Sequence, residues 1–420
     1  MRLQVVTAVT ALAATSACQS RWSRDVDYKA LSKMFSSSVK IYYPGSGNFE
    51  GASSRWSNLD ISTVNIVVVP STENDVVETV KFADKKKLPF LAYNSAHGAI
   101  TTLGKMTRGI EIYMDQLSRV DVTKDGKTVT IAGGTKSKLV TDTLWNAGKQ
   151  TVAGACECAS YLSPGLGGGH GWLQGRHGLI ADQFESMNIV VAKGTLATIN
   201  SSPELWWAAK GPGHNFGIVT SVTSEIFDIE HKDWAIKIIT FKGDKVEELY
   251  DAANKHLLKN GTQPADVISR SYWFNDPDAD ASNKASRPST PPILPPSTPW
   301  TPSLSKRREA ATPTSPNRKK AYEFFAENIR GSSVFNNWLV TFDGYSMQGV
   351  QSIGAKSTAF AFRDQNIPIG PLITYMPGGA ELDDKAAKLG KQLRQILDEG
   401  SGREHAPAYV NYAFGDEGPK

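Results

Sequence analysis

The 420 residues carry a formal net charge of +4, with 40% hydrophobic and 21% charged side chains, the make-up of a globular chain long enough for two cores. Basic residues are scattered apart from Lys85–Lys87 and Lys306–Arg308, and neither run forms a basic helix interleaved with aromatics, so nucleic acid is not an expected partner. No apolar stretch reaches the ~20 residues that a membrane-crossing helix needs, so no membrane partner is expected either.

In chain order, Arg2 precedes "LQVVTAVTALAA" and the small residues "TSA" precede Cys18, the order of a secretory signal over residues 1–17. A secreted protein is expected, and the sequons at Asn200 and Asn260 fit a glycoprotein. "NIVVVP" (65–70) reads as a buried strand. The helix after it has a Ser71 cap and Val76, Val77, Val80 and Ala83 at helical spacing, and "LPFLAY" is a second strand. The polar, small-residue loop Asn94–Gly104 follows, suited to holding an anion or cofactor on backbone amides. A hairpin turning at Asp125 and Gly126 leads to a helix with Leu139, Val140, Leu144 and Ala147 on one side and Gly148 at its end.

The stretch "GACECASYLSPGLGGGHG" (154–171) places Cys156 and Cys158 one residue apart. Alternate positions do not approach closely enough for an easy disulfide, and two small core residues are the plain alternative. Three cysteines without a histidine cluster at ligand spacing predict no metal, and His170, His177 and His214 read as satisfied structural side chains. A second hairpin turns at Lys193 and Gly194. Pro203 opens a short helix carrying Trp206 and Trp207 as core aromatics, and a glycine turn leads into a long strand from Ile218.

Strands, hairpins and helices alternate without a regular βα repeat, so the class is α+β. The pattern changes near residue 232: "WAIKIITF" from Trp234 is strand-like and "DKVEELYDAANKHLLK" helical. This gives a first domain over 60–232, a second over 233–400 and a terminal segment over 401–420. Ser282–Asn317 is rich in Pro, Ser and Thr, the composition of a disordered linker. Proline cannot donate to a sheet ladder and long structureless loops inside compact domains are uncommon, so the segment is odd where it stands. "TPTSPN" is encodable in a frame whose overlapping reading is Tyr-Thr-Asp-Val-Ala-Glu, so a shifted frame is one reading of it and a genuine insertion the other.

The loop around His97, the cysteine and glycine stretch and "HNFGIVT" (214–220), taken together, resemble the vanillyl-alcohol oxidase and p-cresol methylhydroxylase superfamily of flavin-linked oxidases. Within it they are closest to the berberine bridge enzyme-like and oligosaccharide oxidase branch. The resemblance runs from about Tyr43 to Ile229, with a second patch at "AYVNYAFGDEGP". It implies a two-domain FAD-binding fold of the p-cresol methylhydroxylase type with an antiparallel-sheet substrate domain.

It further implies an FAD loop at Tyr93, Asn94, Ser95, Ala96, His97 and Gly98, with His97 matching a histidine bonded to flavin. Tyr93 stands where the family often has arginine. Gly154, Ala155 and Cys156 match the family's Gly-x-Cys motif, whose cysteine makes a second flavin bond in some members, with Cys158 as a small buried neighbour. Gly165, Gly167, Gly168, Gly169 and Gly171 resemble the segment passing the cofactor's ribityl and pyrophosphate, and Gly217, Ile218 and Val219 a segment that meets it through backbone. Tyr409, Asn411 and Tyr412 match a Tyr-x-Asn-Tyr element returning to the flavin, with Tyr412 as base and Tyr409 or Asp416 next in line. A tyrosine base needs a pKa brought down from about 10 to work near neutrality.

The activity implied is oxidation of an alcohol, either a sugar anomeric hydroxyl or a secondary-metabolite alcohol, with dioxygen as acceptor and hydrogen peroxide as product. The rival is a secreted, flavoprotein-derived binding protein without turnover, prompted by the Pro-rich segment and by an end at Lys420 that the resemblance makes early.

Overall fold

Four consecutive valine or isoleucine side chains, Ile66–Val69, cannot all be buried in a strand with one wet face, so the strand they form is covered on both sides. In this computed structural model, which describes residues 26, 28–201, 203–259, 263–275, 303–306, 315–330, 334–399 and 408–416, that strand lies inside a four-stranded sheet. The sheet comprises β1 (Lys40–Tyr42), β2 (Thr63–Val69), β3 (Phe90–Tyr93) and β4 (Thr107–Tyr113) in the order β1-β2-β4-β3. β4 runs parallel to both β2 and β3, and β1 is antiparallel to β2.

A second sheet of five strands has the order β5-β6-β10-β8-β9. Its members are β5 (Val120–Val122), β6 (Thr128–Ala132), β8 (Phe184–Val191), β9 (Thr195–Ile199) and β10 (Ile218–Glu225), all antiparallel. The short β7 (Lys149–Gln150) and β11 (Phe227–Asp228) pair beside it.

The helix Glu73–Lys86 belongs to both sheets. Val76, Val77, Val80 and Ala83 share one core with Ile66, Val68, Ile110 and Ile112 of the first sheet and with Val190 and Ile218 of the second. At its N-terminus Glu73 accepts hydrogen bonds from Asn188, Thr220 and Ser221 of the second sheet. The cap is Thr72 rather than the expected Ser71: its Oγ1 accepts from Asp75 N–H while the Asp75 carboxylate accepts from Thr72 N–H, a reciprocal box that fixes the start one residue later.

The third sheet, β12-β14-β15-β13, is antiparallel: β12 (Ser269–Trp273), β13 (Ser303–Lys306), β14 (Leu339–Gly344) and β15 (Gln365–Leu372). Alternation splits its residues between two faces. Trp273, Val340, Phe342 and Ile369 join a core with Tyr250, Phe325, Leu389 and Leu393 from the helices covering one side. Arg270, Tyr272, Thr341 and Asp343, in register with one another, occupy the opposite face.

Several expectations are corrected. Trp234–Phe241 carries a strand pattern but forms no strand, and Ile236 and Ile238 are 76% and 87% exposed, because an alternating segment becomes a strand only when a neighbour pairs with it. Leu139 and Trp207 are exposed; Val140 and Leu144 alone carry the apolar face of the helix Ser137–Asn146, and Trp207 donates its indole N–H to the Lys356 carbonyl. Within the Pro-rich segment, residues 303–306 form β13 and Ser315 already starts the helix Ser315–Arg330, so linker composition does not describe those parts. Residues 1–17 and Asn260 lie outside the described residues. No described helix is long and apolar enough to cross a membrane.

Gly134 ties the first two sheets together. Its N–H donates to Leu117 O, and a Cβ there would sit 1.8 Å from the Met114 carbonyl oxygen, on a backbone that cannot swing away. Gly134→Ala is expected to lower stability by about 3 kcal/mol or more through overpacking, read as a fall in the denaturant midpoint at unchanged slope. A midpoint within error of wild type would show that this junction yields.

Candidate active site

β3 ends on the half-buried Tyr93, and the loop after it starts with the buried Asn94. The Tyr93 ring stacks on Tyr113 at 5.0 Å between centroids, its hydroxyl donates to the Ala52 carbonyl, and Arg55 lies 5.8 Å above the ring. Burial, with Glu111 close by, pushes its pKa up. The Tyr93 side chain is engaged in packing, and the cation beside it is Arg55, a residue the sequence pattern did not single out. Arg55 Nη1 is buried without a hydrogen bond, 3.8 Å from Glu111.

Asn94 Oδ1 and Ser95 Oγ are likewise buried and unpaired. Ala96 has φ of +50°, a left-handed conformation that an alanine adopts only under constraint, and its carbonyl accepts from Trp56 N–H. His97 then stacks on Trp56 at 4.9 Å and 12°, and loss of hydration holds its pKa below the usual imidazole value. A Cβ built on Gly98 or Gly154 meets nothing within 4 Å.

Beside this loop sit the two thiols. One ligand atom from each of His97, Cys156 and Cys158 lies within 4.8 Å of the others. Both cysteines are free and exposed, which corrects the expectation of small buried residues, Cys158 included: they occupy a surface turn, not an extended core strand. It also corrects the reasoning against a metal, since the histidine that completes a His-Cys-Cys cluster is 59 positions from Cys156 in sequence and adjacent only in the fold.

The glycine stretch is required chiefly by protein neighbours. A Cβ at Gly165 would strike Phe184, at Gly167 Asn411, at Gly168 Phe360, at Gly169 Ile180 and at Gly171 the Ala153 carbonyl. Gly217 similarly passes the Val190 carbonyl, while Ile218 and Val219 bury their side chains and leave only backbone for a ligand.

The segment 408–416 docks across this stretch. Asn411 donates to the Pro164 carbonyl and to Tyr409 Oη, and Thr101 donates through both N–H and Oγ1 to Phe414 O. Tyr409 is buried, with its pKa pushed up to about 12 by desolvation, and its ring meets His170, Phe360 and Tyr412 edge-on. It reads as a packing residue. Asp416 is held by both Nη atoms of Arg394 at 2.9 Å, which removes it from the candidates for base.

Tyr412 instead donates to Asp343 Oδ2 at 3.2 Å, and Arg270 Nε donates to Asp343 Oδ1 at 2.6 Å. Asp343 is 1% exposed. Burial first, and Asp343 second, raise the Tyr412 pKa well above the usual phenol value, the opposite of the expected depression. Tyr345, buried beside Asp343, is shifted upward for the same two reasons. His170, behind them, bonds Gln174 through Nδ1 and stacks on Tyr345, with Nε2 buried and unpaired; His177 Nε2 is unpaired too, so neither histidine is fully satisfied. Asp343, Arg270 and Tyr345 were invisible as site residues in sequence, because only strand register brings them to Tyr412.

Unpaired buried polar atoms at Arg55, Asn94 and Ser95, open space over Gly98 and Gly154, and a left-handed bend at Ala96 form a loop shaped to close on a polar group, with a nucleophilic cluster at its end. These residues fit a polar cofactor held along the loop. Comparisons identify the class: residues 64–200 match the FAD binding domain family. The chain is 62% identical to the FAD-linked oxidoreductase chyH of Penicillium rubens, covering 100% of this chain and 93% of that one. It is 55% identical to the FAD-linked oxidoreductase chry5 of Gibberella zeae, covering 100% and 94%.

Among solved structures it is similar to a chitooligosaccharide oxidase (TM-score 0.73, 19% identity, 92% of this chain and 90% of that). A second is the glucooligosaccharide oxidase of Acremonium strictum, described with a 6-S-cysteinyl, 8α-N1-histidyl FAD (TM-score 0.71, 15% identity, 90% and 89%). This chain belongs to the FAD-linked oxidoreductases. It is an FAD-dependent enzyme of the α+β, p-cresol methylhydroxylase-type fold, and a non-catalytic binding protein is set aside.

Proposed function

We propose that the chain is a secreted oxidase that removes a proton and two electrons from an alcohol carbon, with its flavin tethered at His97 and Cys156. The observation that carries the proton chemistry is the chain of hydrogen bonds from Tyr412 through Asp343 to Arg270. When bound, FAD supplies the two-electron acceptor and, with dioxygen, the route to hydrogen peroxide.

The raised pKa of Tyr412 excludes a standing phenolate near neutrality. None is needed if the substrate hydroxyl donates to Tyr412 Oη while Tyr412 passes its own proton to Asp343 Oδ2. The buried carboxylate is then the ultimate acceptor, with Arg270 donating to its other oxygen. Tyr409 packs edge-on against the Tyr412 ring, and Tyr345 is buried beside the relay.

Support for the tether is the approach of His97 and the cysteines to within 4.8 Å, together with the doubly linked flavin named for the glucooligosaccharide oxidase. Peptide mapping of the purified protein should find flavin on the His97 and Cys156 peptides. His97→Ala should leave the cysteine bond, Cys156→Ala should leave the histidine bond, and Cys158→Ala should keep both. Flavin on neither peptide defeats the tether, and flavin on the Cys158 residue reassigns it.

Tyr412→Phe keeps the ring and its packing while removing the relay oxygen. Turnover is expected to fall roughly 10²- to 10⁴-fold at unchanged flavin content, measured by anaerobic flavin bleaching against a panel of sugars and small alcohols. Bleaching at the wild-type rate would move the base elsewhere.

A further inference from the structure

Arg270 does less for Asp343 than an arginine can. The guanidinium has five N–H donors in a planar fork, and two other arginines here hydrogen-bond a carboxylate through two nitrogens. Arg363 grips Asp182 through Nη1 and Nη2, and Arg394 grips Asp416 the same way. Arg270 reaches Asp343 through Nε alone, and no hydrogen bond among the described residues engages its Nη atoms. Arg119, which also meets its carboxylate through Nε only, is a surface side chain, 73% exposed.

Register explains the posture. Arg270 and Asp343 are directly opposed on β12 and β14, so the side chains run alongside each other and the tip of the longer one projects past the carboxylate. The guanidinium lies 5.6 Å from the centre of the Tyr272 ring, on the same sheet face, and that ring is 42% exposed. The relay oxygen, the charged fork and an aromatic surface thus share one face, while the far face of the sheet is closed by its apolar core.

We propose that Arg270 is a specificity-determining residue whose free Nη edge binds a carboxylate on the substrate, with Tyr272 flanking it, so that the enzyme takes an acid-bearing substrate rather than a neutral sugar. This rests on the reading of Tyr412 and Asp343 as the proton relay, and names the substrate class of that same site. Two parallel N–H groups match the two oxygens of a carboxylate in a way that a lone hydroxyl cannot. The Asp343 charge opposes a second anion, but it faces Nε, leaving the Nη edge to the ligand.

The test uses the purified holoenzyme and follows flavin absorbance while benzoate, benzamide or benzyl alcohol is titrated in. Benzoate should give a saturable shift with a Kd at least tenfold below that of benzamide. Arg270→Gln should weaken benzoate about 10- to 100-fold, the loss of a bond to a charged group, and leave benzamide unchanged. Because Arg270→Gln strips Asp343 of its counter-ion and risks misfolding, Arg270→Lys is measured beside it. It keeps the charge and the flavin content but loses the fork, and should weaken benzoate about tenfold.

Equal affinity for benzoate and benzamide, no saturable response to benzoate, or an unchanged benzoate Kd in Arg270→Lys overturns the proposal. The relay is judged separately. A lost benzoate preference alongside a silent Tyr412→Phe sinks the carboxylate and spares the oxidase reading; a kept preference alongside an active Tyr412→Phe supports the carboxylate and sinks the relay.

Discussion

A carboxylate removed from water must be paired, and at Asp343 this requirement joins the two halves of the molecule. Asp343 sits in the middle of the substrate-side sheet, 1% exposed, and its two oxygens take partners from different places. Arg270 comes from the adjacent strand and Tyr412 from the terminal segment that lies on the flavin-binding half. Breaking a buried pair by removing one partner typically costs about 3–5 kcal/mol, so the terminal segment is held against the sheet by the same force that keeps the sheet face in order. A residue from either half alone would leave the carboxylate half satisfied.

Around that link the glycine stretch is a close-packed floor. Gly167 admits the Asn411 amide and Gly168 the Phe360 ring, so the Tyr409–Tyr412 segment can lie directly on backbone. Larger residues would lift the segment and take Tyr412 away from Asp343. The cofactor loop at Asn94–Gly98 meets the opposite end of this arrangement, where His97, Cys156 and Cys158 converge. The unpaired atoms of Arg55, Asn94 and Ser95 are the complement of a ligand that accepts and donates along the loop. Packing therefore accounts for the glycines, and the unmet polar groups lie along the Asn94–Gly98 loop.

Much of this was legible in the sequence. Ile66–Val69 announced a doubly covered strand, Lys193 and Gly194 a tight hairpin, and the order of His97, the cysteine pair and the glycine run announced the FAD-linked family. The rest depended on registers and contacts that a single sequence does not encode locally. Asp343 and Arg270 are 73 residues apart and look like ordinary strand residues until β12 and β14 pair. Trp234–Phe241 has a strand's alternation, yet alternation does not provide a partner. Composition was misleading at residues 303–306, where β15 captures a strand from a polar segment.

The account stands or falls on whether Tyr412 and Asp343 act as one unit. Groups that work in series lose the same function whichever is removed, and a double-mutant cycle on the rate of anaerobic flavin reduction measures that directly. The relay predicts that Asp343→Asn slows reduction about as much as Tyr412→Phe, and that the double variant is no slower than either. A double variant whose loss is the product of the two single losses, or an Asp343→Asn enzyme that reduces its flavin at the wild-type rate, would contradict it.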